Sequence, residues 1–338
     1  MVIFWKRFRA AFENRPRVLI TSHINPDGDA IGSELAAAEL VASFGCTAKI
    51  YNVSPTPGNL TFLDPKGKTI RLWNSHCTAK WIAKNFDAVL VVDTSSQSQL
   101  NAAFEPIVNS GVPLIIVDHH SVGDKLNATL FSNPQADSTG LLITQAFNKL
   151  KVPMSANAAQ ALFAAICTDS GWFRFPSVTA QTYTAIASLV KAGASPSALY
   201  AELFEKFPFA RLKMQGVYMD NAKQYYDGKV IVTYATLDDF NRFNAKSSDL
   251  EGVVNQFMTI AGTKVVVMLS EQISAQGRQY VKANFRSKKD FNVALIAKKL
   301  GGGGHINAAG ASIYDMTISQ IIERVLNEIK LLAIASSR

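Results

Sequence analysis

The sequence predicts an α/β protein, a doubly wound, mainly parallel sheet domain followed by a smaller C-terminal α/β domain with a mixed sheet. Short β-branched apolar runs alternate with longer helical patterns through the first half, the way strands buried on both faces and their crossover helices read. The second half reads as three strands among several helices, and a Gly-Ala-Ser-Pro stretch separates the halves. Taken in order, the first segment (MVIFWKRFRAAFENRPR) predicts a terminal helix that packs its aromatics on the first domain rather than a basic amphipathic helix lying on a membrane. Strands are expected at 17–22 (RVLITS), 48–53, 88–92 (AVLVV) and 113–117 (PLIIV), with helices at 30–44 and 77–85 between them and at 138–150, 156–168 and 178–192 after them. Beyond the break come a helix at 211–225, strands at 229–234, 264–272 and 279–286, helices at 250–261 and 293–300, a Gly-rich turn and a last helix from Ser319. The expected divisions are a first domain at 1–192, a linker at 193–208 and a second domain at 209–338.

With 338 residues the chain is long enough for two cores of its own. No apolar run approaches the roughly 20 residues of a membrane span, and the start lacks a signal peptide's apolar core, so a cytoplasmic location is expected. Cys46, Cys77 and Cys167 are too few and too scattered for a disulfide framework, and are expected to be reduced and buried. The formal charge of +8 is concentrated at residues 1–20, net +4, and 271–300, net +5, where Arg278, Lys282, Arg286, Lys288, Lys289, Lys298 and Lys299 outnumber Glu271 and Asp290. A basic surface of this kind fits phosphate-bearing partners.

Three expected strands run into metal-ligand residue types. RVLITS leads to His23, Asn25, Asp27 and Asp29, AVLVV to Asp93, and PLIIV to Asp118, His119 and His120. In a doubly wound sheet the carboxyl ends of the strands form the ligand crevice, so these groups converge there. Asp169 closes a further apolar helix beside a Ser-Gly break. Each residue also has an ordinary reading: Asn25 or Asp27 as a turn former, Asp29 as the cap of the following helix, Asp93 as a strand-end cap, Asp169 as a helix stop. Together they favour a metal, because several buried like charges are costly unless a cation neutralises them. Carboxylate and imidazole without thiolate suit Mn²⁺, with Mg²⁺, Co²⁺ or Zn²⁺ as competitors, and more than four candidate ligands implies two ions. Two adjacent ions clamp a phosphoryl group, which makes phosphoester hydrolysis the fitting reaction. Downstream, Gly301 to Gly304 with His305, followed by Ala308-Ala309-Gly310, allow close backbone approach to a ligand, and with Arg286 nearby in sequence they suit phosphate capture.

The motifs HINPDGDAIGS at 23–33, Val92-Asp93, Asp118-His119-His120, Thr168-Asp169-Ser170-Gly171 and GGGGHINAAG at 301–310 resemble, in order and spacing over nearly the whole chain, those of the DHH phosphoesterase superfamily with its DHH-associated C-terminal domain. The two-domain layout resembles the bacterial oligoribonuclease and pAp-phosphatase group, often labelled exopolyphosphatase-related. The resemblance implies an Mn²⁺-dependent hydrolase that removes 5′ mononucleotides from very short RNAs and strips the 3′ phosphate from 3′-phosphoadenosine 5′-phosphate. It implies that His23, Asp27 and Asp93 hold one ion and Asp29, Asp93, His119 and Asp169 the other, with Asp93 bridging. Asp118 would orient a histidine, His120 would meet the phosphate, and Arg286, Gly302, Gly303, Gly304 and His305 would bind substrate. The implied partners are a short RNA or nucleotide and, as an option, a second copy of the chain, with no stable long nucleic-acid complex and no membrane span. The competing readings are a cyclic or linear dinucleotide phosphodiesterase, a long-strand exonuclease, for which the chain leaves little room, and a non-catalytic nucleotide-binding regulator. Two departures bear on substrate choice: Thr94 to Gln99 lack the Arg that relatives often carry after the bridging Asp, and Gly140 stands where a larger or acidic residue is expected. Trp172, Phe173 and Phe175 read equally as base-stacking or core residues.

Overall fold

Apolar runs of three to six residues build the first sheet, β1 (Arg17–Thr21), β2 (Thr47–Asn52), β3 (Ile70–Leu72), β4 (Ala88–Val92), β5 (Leu114–Asp118) and β6 (Thr129–Ser132). The computed structural model describes residues 2–250, 252–274, 276–288 and 291–335; Lys289 and Asp290, counted in the basic stretch above, lie outside the described residues, as do the side chains of Val2 and Ile3. The strands pair in parallel in the order β3-β2-β1-β4-β5-β6, so the chain winds outward in both directions from β1 and β4. Because successive strand residues face opposite ways, Ile20, Ile50, Leu90 and Ile115 enter one core and Leu19, Tyr51, Val89 and Ile116 the other.

On the first face lie α1 (Val2–Ala10), α2 (Gly28–Ala42) and, later in the chain, helices at Thr139–Leu150 and Ala156–Asp169; the second face is covered by α3 (Ala79–Asn85), and by α4 (Gln97–Leu100) and α5 (Phe104–Asn109) through Leu100 and Ile107. We number the two later helices α6 and α7; α8 (Ala180–Lys191) and α9 (Pro196–Phe204) complete the unit. In α1, Trp5 and Phe8 are fully buried against Phe4, Phe12, Phe44 and Phe131, which is the packing expected of that segment. Cys46, Cys77 and Cys167 are free and buried.

The contact pattern divides the chain into Met1–Lys206 and Phe207–Arg338. The segment expected as a linker carries α9, whose Leu199 and Leu203 join the core of the first unit. The second unit is a mixed sheet, β7 (Lys223–Tyr225), β8 (Val230–Ala235), β9 (Val265–Ile273), β10 (Gln279–Ser287), β11 (Gly303–His305) and β12 (Ala308–Ile313), in the order β11-β12-β10-β9-β8-β7, parallel only between β8 and β9. Helices α10 (Phe209–Asp220), α11 (Leu237–Phe243) and α12 (Val254–Phe257) cover one face, and α13 (Val293–Lys299) and α14 (Ile318–Ala335) the other.

Three expectations change here. The helix expected at 211–225 ends as α10 at Asp220, and Lys223–Tyr225 at its expected end is the strand β7. The helix expected at 250–261 is reduced to the single turn of α12, bounded by Gly252 and Gly262 in left-handed conformations that a helix interior excludes. The Gly-rich turn is a β-hairpin strand, β11, paired with β12. No described helix is long and apolar enough to cross a membrane.

Candidate metal centre

The strand order reverses between β1 and β4, the topological switch point at which open α/β sheets bind ligands. After β1 the chain is held by Ile24 N–H donating to Gln99 O at 2.8 Å and Asn25 N–H to Ser54 Oγ at 3.0 Å. The His23 Nδ1 lies 2.8 Å from Ile24 O, an acceptor only, so Nδ1 carries the proton and Nε2 offers its lone pair. That Nε2 faces Asp93 Oδ2 at 3.3 Å and Asp27 Oδ1 at 3.9 Å. Asp27 is the N-cap of α2, accepting from the amides of Asp29 and Ala30. The ordinary capping role therefore belongs to Asp27, whereas Asp29 is buried within the first turn.

The carboxylate of Asp29 is fully clasped. Its Oδ1 accepts from Gly140 N–H at 2.7 Å and Ser33 Oγ at 3.2 Å, and its Oδ2 accepts from Thr139 N–H at 2.7 Å. The N-terminus of α6 thus presents its free amides to an anion, as helix starts favour. Gly140 is a requirement of that approach: a Cβ there would sit 2.5 Å from Ala165 Cβ and 3.2 Å from Asp29 Oδ1. A larger residue at this position has no room.

Asp93 leaves β4 with φ at +63°, an uncommon conformation for a residue with a side chain that Asp tolerates better than most. Its Oδ1 accepts from Thr139 Oγ1 at 3.0 Å. From the end of β5, His119 points Nε2 at Asp169 Oδ2 (3.4 Å), Asp93 Oδ1 (3.6 Å) and Asp29 Oδ2 (3.8 Å), while its Nδ1 faces Ala136 O. Asp118, fully buried, accepts from both the backbone amide and the Nδ1 of the half-exposed His120. The candidate ligands gather into a His23, Asp27, Asp93 group and an Asp29, His119, Asp169 group, each with its donor atoms within 4.8 Å of one another, and Asp93 also falls with His119 and His120.

The electrostatics call for a cation. Burial first, then the neighbouring carboxylates, push Asp29 and Asp93 well above the usual carboxylate range, and Asp169 rises to about 7 for the same reasons. Among the described residues no Lys or Arg pairs with any of them. Burial and the neighbouring His120 lower His119, keeping it neutral and able to ligate. Burial pushes Asp118 up, but hydrogen bonds from His120 and Ser95 more than reverse this, and the same Asp118 contact raises His120.

The remaining predicted residues lie in the second unit. Arg286 pairs with Ala308, which pairs with His305, so the register sets the three in one row across β10, β12 and β11. Arg286 is partly buried, which lowers its pKa, and it donates from Nε to Asn255 Oδ1 at 3.3 Å; among the described residues no carboxylate pairs with it. Gly303, Gly304 and His305 are exposed. The amides of Gly301 and Gly302 close the C-terminus of α13, on Lys298 O and Ala297 O, so a nest formed by all four glycine amides is not available. In the first unit Trp172 packs edge-on against Tyr200 and Phe204, and Phe173 against Phe163 and Tyr183, while Phe175 is 49% exposed over Gly171.

Thr139, Ser33 and Asp137 went unread in the sequence. Asp137 is buried and accepts from the hydroxyls of Ser138 and Thr182 beside the carbonyl that holds His119. The Thr139 contacts to Asp29 and Asp93 and the Thr182 contact to Asp137 span 110, 46 and 45 residues, for which the sequence carries no periodic or motif signal, whereas those of Ser33 and Ser138 are local.

Residues 17–166 match the DHH family, N-terminal domain, and residues 227–333 the DHHA1 domain. The chain is 26% identical to the bifunctional oligoribonuclease and PAP phosphatase NrnA of Thermus thermophilus, over 97% of this chain and 94% of that protein, and 26% identical to the protein of the same name from Bacillus subtilis, over 88% and 89%. It is 25% identical to the cyclic-di-AMP phosphodiesterase GdpP of Geobacillus thermodenitrificans, over 90% of this chain but 46% of that protein. The solved structure of an exopolyphosphatase-related protein from Bacteroides fragilis superposes with a TM-score of 0.86 at 24% identity, covering 98% of both chains, which shows a shared fold.

Proposed function

This chain belongs to the DHH family, a DHH domain followed by a DHHA1 domain, and from that membership we propose a phosphoester hydrolase that uses two divalent cations, Mn²⁺ first, on short oligoribonucleotides and 3′-phosphoadenosine 5′-phosphate. The observation that carries the reading is the divergence of the two Asp93 oxygens, Oδ2 toward His23 and Oδ1 toward His119. His23, Asp27 and Asp93 would hold one ion, and Asp29, Asp93, His119 and Asp169 the other. When bound, the ions would supply charge stabilisation at the phosphoryl group and water activation near neutral pH. The protein's own part is to hold acids and bases in fixed protonation states. Asp118 favours the protonated form of His120 and orients its ring, so that its exposed side can stabilise charge on the phosphate or give a proton to the leaving oxygen. Arg286, with Gly302, Gly303, Gly304 and His305, is assigned to substrate binding. A guanidinium that meets no carboxylate among the described residues, with glycine-bared backbone in the same sheet region, supports that assignment. The site of action is proposed to be the cytoplasm, and a homodimer is compatible with the reading.

The similarity to a cyclic-di-AMP phosphodiesterase over most of this chain supports a second reading on cyclic or linear dinucleotides. The purified chain with Mn²⁺ is to be assayed on 3′-phosphoadenosine 5′-phosphate, pApA, an RNA ladder, cyclic di-AMP, polyphosphate and pyrophosphate. The expected result is highest kcat/KM on the first substrate and on RNAs of roughly two to five nucleotides, abolished by EDTA and restored by Mn²⁺. Higher kcat/KM on cyclic di-AMP promotes the second reading, and activity that survives exhaustive chelation overturns the metal assignment.

A further inference from the structure

The bridging geometry of Asp93 is not intrinsic to Asp93. A carboxylate turns easily about its last side-chain torsion, and a quarter turn would take Oδ2 away from His23 and Oδ1 away from His119. Beside the neighbouring Asp29 carboxyl, the donor that holds its plane is Thr139, fully buried, whose Oγ1 donates to Asp93 Oδ1 at 3.0 Å. The same residue donates its amide to Asp29 Oδ2 at 2.7 Å, and the next amide, Gly140 N–H, takes Asp29 Oδ1 at 2.7 Å. Thr139 is the first residue of α6, just after the N-cap Ser138, whose hydroxyl accepts from Leu141 N–H. At that place the helix offers no preceding-turn carbonyl to compete for a threonine hydroxyl. The β-branched side chain is stiff, so its hydroxyl direction follows from the position of α6. One residue therefore ties Asp29 and Asp93 together through two of its own donors.

We propose that Thr139 is a positioning residue that makes Asp93 a bridge, holding its two oxygens on the His23/Asp27 group and on the Asp29/His119/Asp169 group at once. The proposal rests on the two-cation reading of the centre. Its consequence is a coupling between the two sites: without the hydroxyl, Asp93 is free to serve one group at the expense of the other. Thr139→Val keeps the shape and removes the donor, Thr139→Ala removes the methyl as well, and Thr139→Ser keeps the hydroxyl.

The test is Mn²⁺ binding to the full chain by calorimetry, together with electron paramagnetic resonance of the bound ions, at a temperature where circular dichroism shows all four proteins folded. The wild type is expected to bind two Mn²⁺ with a spin-coupled spectrum. Thr139→Val and Thr139→Ala are expected to lose about tenfold or more in affinity for one of the two ions, the size usual for an outer partner of a ligand, and to lose the coupled spectrum. Thr139→Ser is expected to restore both. Two tight, coupled ions in the valine and alanine variants would overturn the role of Thr139 and leave the two-cation reading standing; a serine variant as defective as valine would overturn it too. A wild type that binds fewer than two Mn²⁺ removes the two-cation reading itself, and the bridge with it.

Discussion

Asp93 and Arg286 are both drawn out of bulk water, yet their surroundings are opposite in kind. Asp93 is buried, its backbone is held by Val117 O, one oxygen accepts from Thr139, and three imidazoles lie within 4 Å. Arg286 is partly exposed; among the described residues its side chain donates to Asn255 Oδ1 and the neighbouring Phe285 carbonyl, and its strand partners are Ala308 of β12 and Val266 of β9. The first region is over-determined, with Asp29, Asp93 and His119 each held by a group outside the candidate ligands. The second is open, built from bare backbone and a cation that meets no carboxylate among the described residues. A centre that must hold like charges close together needs such redundancy, because every carboxylate there would otherwise turn away or take up a proton. A surface proposed only to receive a phosphate does not.

The sharpest break of that contrast is by kinetics. Asp93→Ala is expected to lower kcat by more than about 10³-fold, since it removes a ligand shared by both groups. Arg286→Ala and His305→Ala are expected to raise KM by roughly 10- to 100-fold, the size of one or two charge-assisted hydrogen bonds, with kcat within a few-fold of the wild type. Steady-state assays on one short RNA decide it. Equal kcat losses with unchanged KM would move His305 into the chemistry and erase the distinction between the two regions.

A second pair of changes asks the same question of the backbone. Gly140→Ala puts a Cβ 2.5 Å from Ala165 Cβ, and Gly302→Ala puts one 2.1 Å from Gly310 O, so each is expected to cost about 2–3 kcal/mol by overpacking. Only the first also disturbs Asp29. In thermal melts of metal-free protein both variants should be destabilised, but added Mn²⁺ should rescue Gly140→Ala less than Gly302→Ala, because the former has lost affinity for the ion as well as packing. Equal rescue by Mn²⁺ would show that the α6 clasp does not govern the centre.

The same contrast explains what was legible in the sequence. β1, β4 and β5 are parallel strands buried on both faces, so they read as unbroken apolar runs, and the residues just past them were found with their neighbours in space. β11 and β12 consist mostly of Gly and Ala, which carry no alternating side-chain signal, and the stretch read as a turn. β3 and β6 are short sheet edges, partly exposed, without the composition that marks a buried strand. Thr139 and Gly140 act on Asp29 across 110 and 111 residues. Gly140 looked like a departure because its reason, the closeness of α7 and Asp29, exists only in three dimensions.

Glu34 offers the finest test, because it is a buried acid of the first unit with no cation site of its own. It lies on α2, fully buried, with Oε2 accepting from Asn52 Nδ2 at 2.8 Å. Burial pushes it up to about 7, against weaker opposing pulls from the Asn52 and Ser22 hydrogen bonds. A carboxyl raised in the folded state stabilises the fold below its unfolded value of 4.5, and that stability is lost as pH rises through about 7. Glu34→Gln has the same shape and cannot ionise; its amide keeps an oxygen for Asn52 and turns its N–H groups toward Ser22. In EDTA, melts of the two proteins should lie closest at pH 4.5 and separate as the pH rises toward 7, levelling off above it, the glutamine variant ending more stable by about 1–2 kcal/mol, part of what a shift of this size implies at 1.36 kcal/mol per unit. Asp29, Asp93 and Asp169 titrate in both proteins, so their contribution cancels in the difference. Parallel curves across this range would mean that Glu34 is already relieved of its burial, and that the over-determination seen at Asp93 extends further along α2 than the centre itself.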